Sequence, residues 1–414
     1  MKKFYAVMAA VCLLVSSSLR AGEPDSWKSA YQFPHFSPTY AGCDNLALAQ
    51  MKQLFQARGL PASAWTEMAK SFFDDASPKE LVRPFVQGDS ALIGLNMRRL
   101  GNTLCSNPVL ICQSKDKGTC AEMSAVATQH VLQPLWADAQ SIIAERDNFA
   151  PGDLNPGQSD FVLSHDKGKS WGRINTPVSC GQLGTWCRLI PQNASSYFLL
   201  STQLADDAFA DIAIHGTTDG GKSWKLLMEK WKGISDPGAV SYAADAFVSV
   251  QAESAEFVML SRFNPAENKA EELATDISTR AWSPRFDAQV LAVEGGYLVR
   301  LNAASDKVTP DHFGMFLVPS AGQAAAARLI WEVKGVMIGD VQSSEGVIAI
   351  RTWNPKSMIT GRRFAEQIHY SLDGGTTWQI RDVPAELLGG VMRLAGRKIW
   401  LFTAGAVNYL ELAR

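Results

Sequence analysis

Histidine is scarce in this chain: six occur in 414 residues, dispersed at positions 35, 130, 165, 215, 312 and 369. That scatter argues against a histidine-built metal centre. Charge of one sign is lacking too, since 39 Lys and Arg face 41 Asp and Glu for a formal −2. Nucleic acids and anionic membrane surfaces demand a basic excess, so neither is the expected partner. There is no HExxH zinc motif, no GxSxG nucleophile elbow and no Walker loop. Beyond the first residues no apolar run reaches the length of a transmembrane helix. No cofactor and no metal is expected from what remains.

What is present begins with "MKKFYAVMAAVCLLVSSSLRAGEPDSW". Lys2 and Lys3 form a basic head, Phe4–Val15 an apolar stretch, and a small-residue segment ends near Ala21. Residues 1–21 therefore read as a cleaved export signal, because twelve apolar residues are too few to span a bilayer. Val11 is too large to precede a lipid-bearing Cys12, so no lipid anchor is expected. The protein is expected to be periplasmic or secreted. Losing Lys2, Lys3 and Arg20 with the leader takes the formal charge to −5.

Six cysteines then remain, an even number that favours three disulfides in an oxidising compartment. Cys180 and Cys187 flank a turn-like stretch beginning "GQLGT" and are expected to pair. Cys43, Cys105, Cys112 and Cys120 allow three pairings that sequence does not separate. A zinc site is the weaker reading for them, because close CxxC spacing and clustered histidines are both missing.

Two periodicities divide the chain. From Asp44 to Asn148 the spacing is helical. Leu48, Met51 and Phe55 share a face that Gly59 would end. Trp65, Met68, Ala69 and Phe72 follow i, i+3, i+4, i+7. "SPKE" at Ser77–Glu80 forms a capping box, and Ile93, Met97 and Leu100 run on to Gly101. Met123, Val126, Ala127 and His130 make another stripe, broken at Pro134 before Trp136–Arg146 resumes. His130 reads as a packed residue there and not as a ligand. "APGDLNPGQSD", Ala150–Asp160, reads as a linker. After it, "DFVLS", "YFLLST", "FVML", "YLVRL", "GVIAI" and "KIWLF" are short strand-like runs between turn residues. The expectation is an α+β multidomain chain: signal 1–21, a disulfide-stapled α-helical domain 22–149, a linker 150–160 and an all-β region 161–414.

An octapeptide recurs within that β region: "SHDKGKSW" at Ser164–Trp171, "TTDGGKSW" at Thr217–Trp224 and "SLDGGTTW" at Ser371–Trp378. With Trp282 and Trp331 as degenerate copies, the tryptophan spacings are 53, 58, 49 and 47. Near Trp282, "ATDISTRAW" keeps Asp276. A unit of about 50 residues holding four short strands is the size of a β-propeller blade. Residues 155–414 would hold five blades, or six if strands of the N-terminal half join the ring. The last run, Val391–Leu412, is expected to pair with strands near Phe161–Ser164 and close it.

This Ser/Thr-x-Asp-x-Gly-x-Ser/Thr-Trp pattern resembles the Asp-box, or bacterial neuraminidase repeat, of sialidase-like β-propellers. The resemblance covers about 260 residues and leaves the N-terminal half unaccounted for. It implies hairpins on the rim, away from the central face where that family binds ligands. The residues fit a structural part. Gly168, Gly221 and Gly375 can supply positive φ. Asp166, Asp219 and Asp373 can accept backbone N–H bonds, with the hydroxyls of Ser164, Thr217 and Ser371 completing the turn. Trp171, Trp224 and Trp378 can wedge between strands. Calcium is rejected, since alternating Asp/Asn ligands and a terminal bidentate Glu are missing.

Sialidases of this family need an arginine triad, a tyrosine activated by a glutamate, an aspartic acid and a Phe/Tyr-Arg-Ile-Pro tetrapeptide before the first box. No such tetrapeptide precedes Ser164, and "RLIP" at Arg188–Pro191 falls after it. Arg262, Arg285, Arg300 and Arg351 are the arginines near candidate strands, and Tyr370 abuts a box. No catalytic residue is assigned. The expected function is a non-catalytic exported binding protein that docks another protein of the cell envelope, in an inhibitor or toxin-immunity type of role. The alternative is a divergent sialidase-like glycoside hydrolase or carbohydrate-binding propeller.

Overall fold

The computed structural model describes residues 26–32, 82–87, 90–95, 109–113, 119–122, 131–147, 159–180, 184–205, 208–243, 245–251, 257–278, 286–293, 295–303, 312–319, 327–360, 363–403 and 406–413. They form an almost purely β structure, with two three-residue 3-10 turns at Pro237–Ala239 and Ala385–Leu387. The strands pair antiparallel into seven sheets built on four strands each, in the manner of a β-propeller.

Numbered along the chain, with strands a to d from the centre outward, sheet 1 holds Val82–Gln87, Ser90–Leu95, Val109–Gln113 and Thr119–Glu122. Sheet 2 holds Val131–Ala137, Ile142–Asp147, Ser159–Ser164 and Gly172–Arg173. In sheet 3 they are Thr185–Pro191, Tyr197–Ala205, Ile212–Thr217 and Lys225–Trp231, with Ala208–Phe209 as a short extra pair. Sheet 4 runs Ser241–Ala243, Ala246–Gln251, Phe257–Asn264, Lys269–Ser278; sheet 5 runs Phe286–Val293, Gly296–Ala303, His312–Pro319, Arg328–Lys334. Sheet 6 comprises Met337–Ser344, Val347–Thr360, Arg363–Ser371 and Gln379–Asp382. Sheet 7 takes Val391–Ala395, Lys398–Phe402 and Ala406–Glu411, then Lys28–Gln32 as its fourth strand.

The core lies between sheets, so each sheet buries two faces. Ile143, Phe161 and Ile174 of sheet 2 pack on Leu189, Tyr197 and Leu199 of sheet 3. Leu200, Ile212 and Trp231 of sheet 3 meet Phe247 and Phe263 of sheet 4. Similar clusters join sheets 4 and 5, 5 and 6, and 6 and 7. Burial on both sides explains the near-continuous apolar strands such as "KIWLF", where Ile399 to Phe402 are all fully buried.

Among the described residues no α-helical N-terminal domain is seen; this corrects the α+β expectation. The described residues between 22 and 149 are strands, apart from residues 26–27 and the turn at 138–141. Ile93, assigned to a helix by its spacing, lies buried in Ser90–Leu95 beside Ala91 and Leu92. The expected helix Trp136–Arg146 is divided between two paired strands, and Pro134 sits at an irregularity in their register instead of at a helix break. Short strands buried on both faces lose their alternation, and their apolar runs then mimic a helical face. The other stripe residues (Leu48 to Glu80, Met97 to Gly101, and Met123 to His130) lie outside the described residues. On either side of the expected linker, Asp147 pairs with Ser159 in one sheet. Strands of the N-terminal half do join the ring, which the larger blade count required and which makes a count of five too low.

Closure is also reassigned. The C-terminal strand Ala406–Glu411 pairs with Lys28–Gln32, Tyr409 opposite Lys28 and Ala406 opposite Gln32, and not with strands near Phe161–Ser164. Because strands alternate in direction, the a–b and c–d turns lie at one end of every sheet. The b–c and d–a connections lie at the other. We call these the turn end and the loop end.

Candidate functional site

All three octapeptides occupy the same place, the c–d turn of sheets 2, 3 and 6. Their aspartates therefore belong to three separate sheets. In the first, Ser164 Oγ donates to Asp166 Oδ1 at 2.8 Å and accepts from the Gly168 N–H at 2.7 Å. Asp166 then accepts the Ser170 N–H at 2.9 Å and its hydroxyl at 2.6 Å. Thr217, Asp219, Gly221 and Ser223 repeat the pattern, as do Ser371, Asp373, Gly375 and Thr377. The glycines adopt φ of 83°, 83° and 88°, a region where a side chain would be strained.

The tryptophans fasten the turns. Trp171 Nε1 donates to Gly168 O within its own turn at 3.0 Å. Trp224 reaches Asn175 O, ahead of sheet 3, at 2.7 Å, and Trp378 reaches Ile330 O of sheet 5 at 2.8 Å. Two of the three thus tie their sheet to preceding chain. Trp331, a degenerate copy, packs 6.3 Å from Trp378. Asp276 accepts the Ala327 N–H at 2.7 Å, while Trp282 lies outside the described residues.

Donors crowd these carboxylates. Hydrogen bonds from Ser170 hold Asp166 down to about 2, and those from Thr377 hold Asp373 at about 2. Asp219 is lowered by Ser223 in the same way. A carboxylate depressed in the folded state stabilises it above the unfolded value near 3.8, and that contribution fades as pH falls through the folded value. Asp373→Asn is accordingly expected to melt below the parent at pH 6, with the gap closing between pH 4 and 2. Thermal melts across that range check it, and a constant gap counts against the carboxylate's charge as the cause.

Of the arginines named from sequence, Arg262 and Arg351 are each paired with a carboxylate of their own sheet. Arg262 pairs with Glu271 at 2.6 Å inside sheet 4. Arg351, 3 % exposed, pairs with Glu366 at 2.5 Å inside sheet 6. Arg188 spends its guanidinium on the carbonyls of Pro237, Gly238 and Val240. Arg300 stands in sheet 5, and Arg285 lies outside the described residues. Tyr370 is buried and donates to Gln379 at 2.7 Å, a contact within sheet 6.

Cys180 and Cys187 form the expected disulfide, bracing the entry to strand a of sheet 3. The register of sheet 1 sets Cys112 opposite Cys120; Cys43 and Cys105 lie outside the described residues. Beside the disulfide, at the loop end, Trp186 is 43 % exposed and Leu204 50 %, with Phe257 of sheet 4 also exposed at that end. The sequence signalled the disulfide but not these side chains, since an outward-facing tryptophan in a strand looks like any inward one.

At the turn end a cleft of about 550 Å³ opens between sheets 3 and 4. Phe198, Trp224 and Tyr242 form its walls, and Asp245 stands at its edge. A smaller cleft, about 390 Å³, lies between sheets 1 and 2 against Phe85, Asp138 and Lys167. Neither was legible in the sequence, because each is assembled from turns of two sheets.

No family model and no curated protein matches the sequence. Solved structures do. A puromycin hydrolase aligns at 9% identity with a TM-score of 0.54, over 83% of this chain and 53% of its own. The acylaminoacyl peptidase of Pyrococcus horikoshii aligns at 10% identity and TM-score 0.52, over 83% and 52%. The β-propeller domain of the Trilobed protease from Pyrococcus furiosus aligns at 11% identity and TM-score 0.45, over 80% and 95%. At such identities the likeness is one of fold. The chain spans about half the length of the puromycin hydrolase and of the acylaminoacyl peptidase.

Proposed function

We propose that this chain is an exported, non-catalytic binding protein whose propeller docks another protein at the loop end. The observation that carries the reading is the group of exposed apolar side chains there, Trp186 above all, next to a disulfide that stiffens their backbone. Large aromatics in rigid surroundings are the usual anchors of protein interfaces, where few residues supply most of the affinity. The disulfide is compatible with export, as is the lack, among the described residues, of a helix long and apolar enough to cross a membrane. An inhibitor or toxin-immunity role is the form we favour, since such proteins act by docking. The puromycin hydrolase and the acylaminoacyl peptidase are neighbours in fold, and their activities are not carried over.

The test is a capture experiment from envelope extract with the parent and with Trp186→Ser/Leu204→Ser. The parent should retain one partner in stoichiometric amount, and the variant, melting at the same temperature, should lose it. Equal recovery by both proteins, or no stoichiometric partner for the parent, overturns the reading.

A further inference from the structure

The cleft at the turn end between sheets 3 and 4 carries a separate inference. Its walls are held rigidly. Trp224 is fixed by its bond to Asn175 O, and the Tyr242 ring packs 5.1 Å from Phe198 and 4.7 Å from Phe247. Gly216 also lines the cleft, and a Cβ there would fall 2.9 Å from Leu227 Cδ1, the movable end of that side chain. Tyr197, beneath, has its hydroxyl occupied by Ala194 O. The hydroxyls of Thr217 and Ser223 are taken by Asp219.

A different set of polar groups is left over. The side chains of Gln192, Ser196, Thr218, Tyr242 and Asp245 line the cleft and hydrogen-bond to no other described residue. Burial and the nearby Asp245 raise the Tyr242 hydroxyl, which therefore stays protonated and able to donate at neutral pH. Asp245 holds a φ of 60°, unusual for a residue other than glycine, in the tight turn that brings its carboxylate to the edge.

We infer that this cleft binds a pyranose unit of an oligosaccharide. The volume falls in the range of roughly 300–1,000 Å³ typical of small-ligand sites. Aromatic walls suit the C–H face of a sugar ring, while an uncommitted amide, three hydroxyls and a carboxylate suit its edge of hydroxyls. An alkyl chain would leave those polar groups covered and unpaired, which disfavours it. An anion would face Asp245 with Lys225 as the single cation of the lining. The site lies at the opposite end from the docking surface above, and neither reading depends on the other.

The experiment is calorimetric titration of the full chain with cellotriose, chitotriose and maltotriose, with tetramethylammonium as a cationic control. At least one trisaccharide should bind saturably at millimolar concentration or below. Asp245→Asn, which keeps a residue tolerant of left-handed backbone, and Gln192→Ala should each weaken it about fivefold to tenfold while melting as the parent does. Three outcomes overturn the assignment: no saturable binding by any trisaccharide at about 20 mM, binding that both variants retain, or tetramethylammonium binding more tightly than the sugars.

Discussion

Arg351→Met is expected to lower the free energy of unfolding by about 3–5 kcal/mol, because it strands two carboxylates in a buried place. Arg351 Nε and Nη2 both donate to Glu366 Oε2, at 3.0 and 2.5 Å, and Asp340 stands 3.6 Å away. The remaining nitrogen donates to Gly390 O, while Glu366 Oε1 accepts the Gly389 N–H at 2.9 Å. The cluster therefore joins strands of sheet 6 to the chain entering sheet 7. Removing the cation leaves the Glu366 carboxyl enclosed and short of partners. An exposed pair offers the contrast. Lys28 and Glu411, each about half exposed at 3.1 Å, contribute less than about 1 kcal/mol, so Lys28→Met should barely register. Urea unfolding of both variants decides the matter; a loss below about 1 kcal/mol for Arg351→Met refutes the cluster's role.

A second large effect is expected where two neighbouring glycines differ in surroundings. Gly374 and Gly375 both have left-handed backbone, φ 66° and 88°. A Cβ on Gly374 meets nothing within 4 Å, whereas one on Gly375 falls 2.6 Å from Ile330 Cδ1 and 3.0 Å from its Cβ. Gly374→Ala thus carries the conformational penalty alone, about 1–2 kcal/mol. Gly375→Ala adds overpacking against a buried side chain of sheet 5, another 1–3 kcal/mol or so. The Trp378 bond to Ile330 O crosses the same seam, so the clash also strains the tie between sheets. Melting curves should rank parent, Gly374→Ala and Gly375→Ala in that order. Equal losses for the two variants refute the packing argument.

What the sequence made legible follows from where each signal resides. Six apolar runs, "DFVLS" to "KIWLF", fall in strands, because turn residues bracket them closely. The octapeptides were visible because one turn supplies nearly all their hydrogen bonds, within five positions of the aspartate. The Cys180–Cys187 bridge was visible for the same reason. The N-terminal half misled, since Ala91, Leu92 and Ile93 are all buried and leave no alternation to count. Strand closure was assigned to the wrong partner because register between distant segments leaves no local mark. The clefts were illegible for a related reason: Trp224 and Tyr242 meet across two sheets. Likewise, the arginines looked alike in sequence, and their carboxylate partners, Glu271 and Glu366, are set by cross-strand geometry.

The pairing of Lys28–Gln32 with Ala406–Glu411 has a temporal meaning. Sheets 1 to 6 are assembled from consecutive strands and can pair as soon as their own stretch is available. Sheet 7 cannot, for Lys28 and Glu411 are 383 positions apart. Lys28–Gln32 must wait until Ala406–Glu411 has been made, and until then the wheel stays unlatched with a raw edge on either side of the gap.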